Sequence, residues 1–279
     1  MRDLRGPKAG SGPKPISSLQ NERIKAIRAL DMRKVRRETG LFVAEGASVL
    51  ISAQEAGWQP ETLLYEPSGG QSPAVRGLIE LALKADSEVL EVTPAVLGKV
   101  ASKDNPQAIL GVFKQRWSVA PQAERIAEDG LWLVLEDVRD PGNLGTIIRT
   151  VDAVGASGVI LVGNCCDPYG RECIRATMGS VFAVPLVRMT REAFLMWRAD
   201  WAGDVVGLHL SATQDFRDAK YRGPVLVVMG SEGPGLSDDL AAACSRTVKI
   251  PMAGDLDSLN LAVATALTLY EIRRPHLSL

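Results

Sequence analysis

Short apolar runs alternate with helical segments through the second half of the sequence, and this alternation restricts the fold more than any other feature. Several runs are apolar without interruption, which is typical of strands buried on both faces of a parallel sheet. The predicted strands are Leu131–Leu135, Gly158–Val162, Val181–Leu186, Val205–Leu210, Val225–Met229 and Thr247–Ile250. Because helices separate them, residues 131–279 are expected to form an α/β domain, with a last helix from about Ser258 to Arg273.

A smaller set of alternating elements precedes this domain. Residues 16–114 are predicted to form a small α/β domain with strands at Leu41–Ala44, Thr62–Tyr65, Glu88–Val92 and Ala108–Phe113. Its helices are expected around Ile24–Leu30 (capped by Ser17 or Ser18), at Val49–Gly57, at Ala74–Lys84 and after Pro94. Residues 115–130 are polar and are predicted to be a linker. The basic, Gly- and Pro-rich residues 1–15 are predicted to be a disordered tail.

Composition excludes several classes of protein. No stretch approaches the roughly 20 apolar residues of a membrane helix, and the N-terminus lacks the apolar segment of a secretory signal. A cytoplasmic protein without a membrane partner is therefore expected. The cysteines, Cys165, Cys166, Cys173 and Cys244, form no Cys-x-x-Cys pair, and His209 and His276 are the only histidines. We expect no metal site and reduced thiols, to which the sequence assigns no role.

The charge of the chain is unevenly distributed. Residues 1–40 contain eleven Lys or Arg and four Asp or Glu, a local charge of +7, although the whole chain has a net charge of −1. A basic block of this kind suggests contacts with phosphates, and residues 23–37 are its densest part. A solvated helix face explains the block almost as well.

The first polar segment of interest runs from Asp140 to Arg149 and follows a predicted strand, where ligands bind in α/β sheets. A helix is predicted to begin near Leu144 with Asn143 as its cap. Arg149 lies six residues further, roughly 9 Å along the helix axis, and its side chain leans back toward the helix start. This arrangement suits an anionic group such as an RNA phosphate. Taken alone, the segment is more simply a βα turn with a surface arginine.

Two further segments follow the last predicted strands. Residues 229–236 read Met-Gly-Ser-Glu-Gly-Pro-Gly-Leu and match neither the Gly-Lys-Ser/Thr loop of ATP enzymes nor Gly-x-Gly-x-x-Gly. The glycines Gly230, Gly233 and Gly235 permit close backbone approach or positive φ angles, and Glu232 can accept hydrogen bonds. Ile250-Pro-Met252 ends the next strand, and Ser258-Leu-Asn260 begins the last helix with Ser258 as its expected cap.

Together these segments resemble the signature of the SpoU (TrmH-like) branch of the SPOUT RNA 2′-O-ribose methyltransferases. The resemblance rests on Asn143, Gly145 and Arg149, on Gly-x-Glu-Gly-x-Gly-Leu at 230–236, and on the following Ile-Pro-Met and Ser-Leu-Asn. It covers about residues 130–275, and it departs at Ala262, where many relatives carry Ser. The N-terminal part, with Phe42-Val-Ala-Glu-Gly46, more loosely resembles the family's ribosomal-protein-L30e-like substrate-binding domain.

The resemblance implies an α/β, SPOUT-type parallel sheet with a C-terminal trefoil knot, and a homodimer with the last helix at its interface. The implied cofactor is S-adenosylmethionine, held near Leu210, Gly230, Ile250, Met252 and Leu259, with no metal. Arg149 is the implied activating residue, and Asn143, Glu232, Ser258 and Asn260 would position it, the ribose and the cofactor. Because an arginine is hard to deprotonate, we expect Arg149 to bind a neighbouring phosphate. The proton acceptor stays open between that phosphate and water.

The function implied is S-adenosylmethionine-dependent methyl transfer to RNA ribose. Large-subunit rRNA is favoured over tRNA, because an added N-terminal domain is commoner among the rRNA enzymes of the family. The alternatives are a tRNA 2′-O-methyltransferase, a non-catalytic dimeric RNA-binding protein of the same fold, and a base methyltransferase. The sequence identifies neither the methylated nucleotide nor whether the role is housekeeping or antibiotic resistance.

Overall fold

The structure, a computed structural model, describes residues 12–101, 107–122 and 126–278. The chain divides into two compact units. The first contains residues 1–115 together with 167–183, and the second contains residues 116–166 and 184–279. Residues 167–183, which lie within the sequence of the second unit, are therefore part of the first unit.

The helices, in chain order, are α1 (Glu22–Ala29), α2 (Arg33–Thr39), α3 (Ala47–Glu55), α4 (Pro73–Lys84), α5 (Pro94–Val100), α6 (Pro141–Ala153), α7 (Arg171–Thr177), α8 (Arg191–Arg198), α9 (Asp238–Ala243) and α10 (Leu261–Arg273). The strands are β1 (Lys14–Ile16), β2 (Leu41–Glu45), β3 (Thr62–Tyr65), β4 (Glu88–Val92), β5 (Ile109–Lys114), β6 (Leu131–Glu136), β7 (Gly158–Val162), β8 (Leu186–Met189), β9 (Asp204–Leu208), β10 (Val225–Met229) and β11 (Arg246–Val248).

The first unit is built on a five-stranded mixed sheet in the order β1-β4-β3-β5-β2. The strand β1 was not predicted, because Lys14 and Pro15 fall in the segment expected to be a disordered tail; residues 1–11 of that tail lie outside the described residues. The edge position explains the strand: β1 pairs parallel with β4, and Ile16 packs on the core beside Val92. The cap of α1 was also predicted wrongly, since Asn21 Oδ1 accepts the bond from Arg23 N at 2.9 Å.

Residues 167–183 complete the core of the first unit. Tyr169 and Phe182 join an aromatic cluster with Phe42, Trp58 and Phe113, in which the ring centroids of Phe42 and Tyr169 are 4.7 Å apart. The Trp58 indole donates to the Phe182 carbonyl at 2.8 Å. This packing explains why the predicted strand Val181–Leu186 is wrong: Phe182 belongs to a 3-10 turn in this core, and Pro185 delays the strand β8 to Leu186.

Arg36 holds the same segment through a buried ion pair. It lies on α2 with only 6% of its surface exposed, and its Nε donates to Asp167 Oδ2 at 2.8 Å. Its Nη1 donates to the carbonyls of Leu30 and Asp31 at 2.8 and 2.9 Å. Because burial of a charge is costly without a partner, these contacts make Arg36 a structural residue rather than part of a solvated basic face.

The second unit is an all-parallel sheet of six strands in the order β11-β9-β10-β6-β7-β8. Both faces are covered, and β6, β7 and β10 are buried along their whole length, as their continuous apolar runs predict. Because all strands run the same way, their carboxyl ends share one edge of the sheet. The loops that leave that edge are the ones singled out in the sequence.

Residues 116–122, which were predicted to be part of a linker, belong to the second unit and are bonded to its other residues. Ser118 N donates to the Leu186 carbonyl at 2.8 Å, beside the edge strand β8. The Trp197 indole donates to the Pro121 carbonyl at 2.9 Å, and the Arg188 guanidinium lies 3.9 Å from the Trp117 ring centroid. Backbone and side-chain bonds therefore hold a polar segment that has no apolar periodicity of its own. No helix in the described part of the chain is long and apolar enough to cross a membrane.

Substitution of Arg36 tests whether its ion pair with Asp167 stabilises the first unit. Arg36→Ala leaves the Asp167 carboxylate buried without a counter-charge, so we expect the free energy of unfolding to fall by about 3–5 kcal/mol. Arg37→Ala, in the same helix but exposed, should change it by no more than about 0.5 kcal/mol. Urea unfolding followed by tryptophan fluorescence measures both. Equal effects of the two substitutions would contradict a structural role for the pair.

Candidate functional site

A cavity of about 470 Å³ lies at the carboxyl edge of the second unit's sheet. Its walls are the end of β9 with His209 and Leu210, residues 229–236 after β10, residues 248–250 with Met252 after β11, and the start of α10 with residues 257–260. The loops that follow β9, β10 and β11 therefore surround one space. Its volume falls within the range of small-molecule sites.

A directed chain of side-chain amides joins two of these loops to the start of α6. Asn260 Oδ1 accepts from Ala262 N at 2.9 Å and from Val263 N at 3.3 Å, so its Nδ2 is turned outward. That Nδ2 donates to Asn143 Oδ1 at 3.0 Å, and Asn143 Nδ2 donates to Glu232 Oε1 at 3.0 Å. Backbone donors at one end and a carboxylate at the other fix the orientation of both amides.

Both helix starts beside the cavity are capped by residues other than those predicted. α6 begins at Pro141, and its cap is Asp140, whose Oδ1 accepts from Asn143 N at 2.6 Å. The proline at the first helical position favours this earlier start. α10 begins at Leu261 with Asn260 as its cap, so Ser258 lies in the preceding loop. These differences leave the side chains of Asn143 and Ser258 outside the capping bonds.

The loop at residues 230–236 folds back on itself as its glycines predict. Ser231 and Gly235 exchange two backbone hydrogen bonds of 3.1 Å each. A Cβ at Gly230 would overlap the Gly235 carbonyl group, and Gly233 and Gly235 have φ angles of +92° and +77°. The tight base places Glu232 at the turn, where its carboxylate meets Asn143.

The structure brings most of the predicted site residues together. Those expected near a cofactor all line the cavity: Leu210, Gly230, Ile250, Met252 and Leu259. Glu232, Ser258 and Asn260 also line it, and Asn143 is bonded to two of these three. Arg149 is exposed on α6 and is not among the described residues that line the cavity. Its side chain therefore faces solvent rather than the cavity of its own chain.

Sequence reasoning missed several residues of this region. Lys249 and Asp257 line the cavity, and Asp140 caps the helix that carries Asn143. Glu136, a carboxylate at the end of the apolar strand β6, lines a neighbouring cavity of about 520 Å³ with Arg139 and Arg191. Residues 231, 232 and 234–236 line both cavities, so this loop is the wall between them. A charged residue at the end of a buried strand was the available signal for Glu136.

Two of the cysteines, Cys165 and Cys244, are poor candidates for chemistry. Burial raises the pKa of the Cys165 thiol to about 11 and that of the Cys244 thiol to about 12. Both thiols are therefore protonated at neutral pH and weak as nucleophiles or metal ligands. Within the described ranges, no group of three or more His, Cys, Asp or Glu is arranged to hold a metal ion.

Comparisons with protein families match both parts of the chain. Residues 130–270 match the model described as the SpoU rRNA methylase family. Residues 21–111 match the one described as an MRM3-like substrate binding domain.

Individual proteins are similar over nearly the whole chain. The structure of an AdoMet-bound rRNA methyltransferase from Sinorhizobium meliloti matches with a TM-score of 0.87 and 44% identity, covering 95% of this chain and 99% of that one. The 23S rRNA (uridine(2479)-2′-O)-methyltransferase of Streptomyces viridochromogenes is 33% identical, over 89% of this chain and 88% of its own. The 23S rRNA (guanosine(2553)-2′-O)-methyltransferase RlmP of Bacillus subtilis is 28% identical, over 93% and 99% respectively.

The two roles of Asn260, as a helix cap and as a donor to Asn143, can be separated by substitution. Asn260→Ala removes the cap and should lower the free energy of unfolding by about 1 kcal/mol. Asn260→Asp keeps an acceptor for the amides of α10 but cannot donate to Asn143, so we expect it to lose less stability than Asn260→Ala. Thermal unfolding of both variants measures the difference. Equal destabilisation would show that the cap is not what Asn260 contributes to stability.

Proposed function

We propose that this chain, which belongs to the SpoU rRNA methylase family, transfers the methyl group of S-adenosylmethionine to the 2′-hydroxyl of a ribose in RNA. The observation that carries the proposal is the hydrogen-bonded chain Asn260–Asn143–Glu232. It joins the three motif segments, two of which line the cavity, as a site built from them requires. The named relatives support it, because two of them are 23S rRNA 2′-O-methyltransferases.

The cavity fits S-adenosylmethionine in size and in the character of its walls. Apolar side chains of Leu210, Ile250, Met252 and Leu259 would pack on the adenosine, and the backbone of Gly230 lines the same space. Glu232 and Asp257 supply negative charge on the lining to a cofactor that carries a positive sulfonium. When bound, the cofactor supplies an electrophilic methyl group, so the chain's residues need only place the hydroxyl and manage its proton.

Arg149 would bind the phosphate next to the target ribose. Its guanidinium stays protonated and can donate to two phosphate oxygens, and its exposure on α6 leaves it accessible to RNA. Asn143 and Glu232 would orient the ribose, because the amide chain fixes where their polar atoms lie. Ser258, exposed in the loop before α10, supplies a further hydroxyl at the cavity wall. The proton would pass to the bound phosphate or to water.

Large-subunit rRNA is the proposed substrate, since the named relatives act on 23S rRNA and residues 21–111 match a substrate-binding domain. In the first unit, Lys25, Arg28, Lys34 and Arg37 are exposed on α1 and α2 and would contact phosphates. Other basic residues of that block are structural: Arg36 is paired with Asp167, and Arg23 with Glu88. The competing functions are methylation of tRNA, methylation of a base rather than a ribose, and RNA binding without catalysis.

A cytoplasmic homodimer with a knotted second unit completes the proposal. Val263, Leu267 and Tyr270 form an exposed apolar stripe on α10, at spacings of four and three residues, with 43–49% of each residue exposed. A second copy of the chain would cover this stripe.

The knot is supported by the path of the chain, which leaves the sheet at its edge strand β11 and returns to pack α10 on α6 and β10.

The reaction is tested by incubating the purified protein with methyl-labelled S-adenosylmethionine and with separate pools of unmodified rRNA and tRNA. Nucleosides from each pool are then identified by mass spectrometry. We expect a 2′-O-methyl nucleoside from 23S rRNA. A methylated base, or label in tRNA alone, would identify one of the competing functions. Binding of the cofactor without transfer to either pool would favour the non-catalytic protein.

Arg149→Ala tests the proposed phosphate contact at the site of transfer. Since the variant lacks one charge-assisted interaction in the transition state, we expect the rate to fall by about 100-fold or more. Cofactor affinity should be unchanged, because Arg149 does not line the cavity. Arg149→Lys keeps the charge but cannot bind at two points and should be intermediate. Single-turnover kinetics and calorimetric titration of the cofactor measure both quantities, and full activity of Arg149→Ala would refute the role.

The basic surface is tested by neutralising exposed charges rather than by deleting residues 1–40, because α1 contributes Ile24 and Ile27 to the core. The triple substitution of Arg28, Lys34 and Arg37 by Gln should weaken RNA binding. It should also reduce the salt slope by about 0.7–0.9 for each phosphate that the variant no longer neutralises. A matched control replaces Arg76, Lys84 and Lys99, which are exposed elsewhere in the first unit. If both triple variants lower the slope equally, α1 and α2 are not the RNA-binding surface.

A further inference from the structure

The loop at residues 230–236 needs an anchor besides its own base. The paired bonds between Ser231 and Gly235 hold the two arms of the loop to each other, but not to the rest of the unit. At the turn, Glu232 is bonded to Asn143 among exposed side chains, where water competes for the same groups. The position of the wall between the two cavities therefore depends on what holds the end of the loop.

Glu136 holds that end through its carboxylate. It is the last residue of β6, the strand beside β10 in the sheet, and its side chain is only 3% exposed. Glu136 Oε2 accepts from Ser237 N at 2.9 Å, and Oε1 accepts from Ser237 Oγ at 2.7 Å. Arg191 Nη2 lies 2.7 Å from Oε1 and supplies the opposite charge. Both carboxylate oxygens are therefore used.

The Ser237 hydroxyl does not make the capping bond that its position favours. It is the cap residue of α9, where a serine hydroxyl ordinarily accepts from an amide of the first helical turn. Among the described residues, this hydroxyl makes no such capping bond and instead donates to Glu136. The helix α9 therefore lacks a side-chain cap, and the hydroxyl instead fixes the end of the 230–236 loop.

The position of Ser237 affects the 470 Å³ cavity that the 230–236 loop lines. Ser237 directly follows the wall residues 231–236, and Leu236 is buried in the core beside it. A displacement of Ser237 would move the wall, and with it the Glu232 carboxylate relative to Asn143. Removing one partner of a buried hydrogen-bonded charge leaves the others unpaired, so the loop would not simply keep its place.

We propose that Glu136 is a positioning residue that sets the shape of the cofactor cavity by fixing Ser237, with Arg191 balancing its charge. Glu136 lies outside the motif segments, and it lines the neighbouring cavity on the other side of the 230–236 loop. In taking S-adenosylmethionine as the ligand of the cavity, the proposal rests on the proposed function.

The anchor is tested first in the protein without cofactor. Glu136→Gln keeps the size of the side chain but replaces one acceptor oxygen with a donor that faces Arg191 or Ser237. Hydrogen exchange read by mass spectrometry should show the peptides over residues 230–237 exchanging about tenfold faster, as expected for the loss of roughly one buried hydrogen bond. The peptides of β6 and β10 should be unchanged. Unaltered exchange in the loop would overturn the proposal.

Cofactor affinity gives the second measurement. Glu136→Gln should raise the Kd for S-adenosylmethionine about tenfold, and Ser237→Ala less, because Ser237 N can still donate to Glu136. The double variant should bind no more weakly than Glu136→Gln alone if both residues act through one contact. Additive losses of affinity would overturn the proposed route through Ser237.

Glu88→Gln is the matched control, because Glu88 is also a buried carboxylate, 6% exposed and paired with Arg23, but lies in the first unit. It should leave both the loop exchange and the Kd unchanged. Equal effects of Glu88→Gln and Glu136→Gln would reduce Glu136 to a general stabilising residue and overturn the proposal. Failure of the wild-type protein to bind S-adenosylmethionine would instead contradict the proposed function, while the exchange measurement would still decide whether Glu136 anchors the loop.

Discussion

The side chain of Asn143 bonds to Glu232 and Asn260, which lie 89 and 117 residues further along the chain. Its carbonyl oxygen accepts from Asn260 and its amide nitrogen donates to Glu232, each at 3.0 Å. The capping bonds of α10 fix the amide of Asn260, and the Glu232 carboxylate can only accept. The chain of bonds therefore has one direction, and it sets the spacing between the start of α6, the start of α10 and the 230–236 loop.

The parallel sheet brings these three segments together at one edge. Six strands that run the same way deliver the motif loops to one edge, where a cavity opens between β9, β10 and β11. Buried strands fix the loop ends on the sheet side, and Glu136 and the amide chain hold the loops above it. In the first unit, the buried pair of Arg36 and Asp167 binds the segment 167–183 in the same manner. In both units, a charged group at low exposure bonds to a chain segment that is distant in sequence.

Local pattern predicted the strands, because continuous apolar runs are properties of neighbouring residues, whereas the residues lining the cavity were predicted from the resemblance to the SpoU family. Thr62–Tyr65, Glu88–Val92, Gly158–Val162 and Val225–Met229 have the predicted bounds. The errors arose where distant contacts decide. The run from Val181 to Leu186 has strand composition, but Phe182 packs against Phe42 and Trp58. Arg36 resembles its exposed neighbours in sequence, and only its contact with Asp167, 131 residues away, makes it structural. Glu136 was missed because its partner Ser237 lies 101 residues further along the chain.

The central claim, that the amide chain organises a cofactor site, is tested most directly by a crystal structure of the protein with S-adenosylmethionine bound. We predict the adenosine between Gly230, Ile250 and Leu259, with Asn143 still bonded to both Glu232 and Asn260 and the methyl group directed toward that polar chain. Cofactor density outside the cavity would contradict the assignment of the site. Density in the cavity with the Asn143 bonds broken would contradict the role of the amide chain in holding the three loops together.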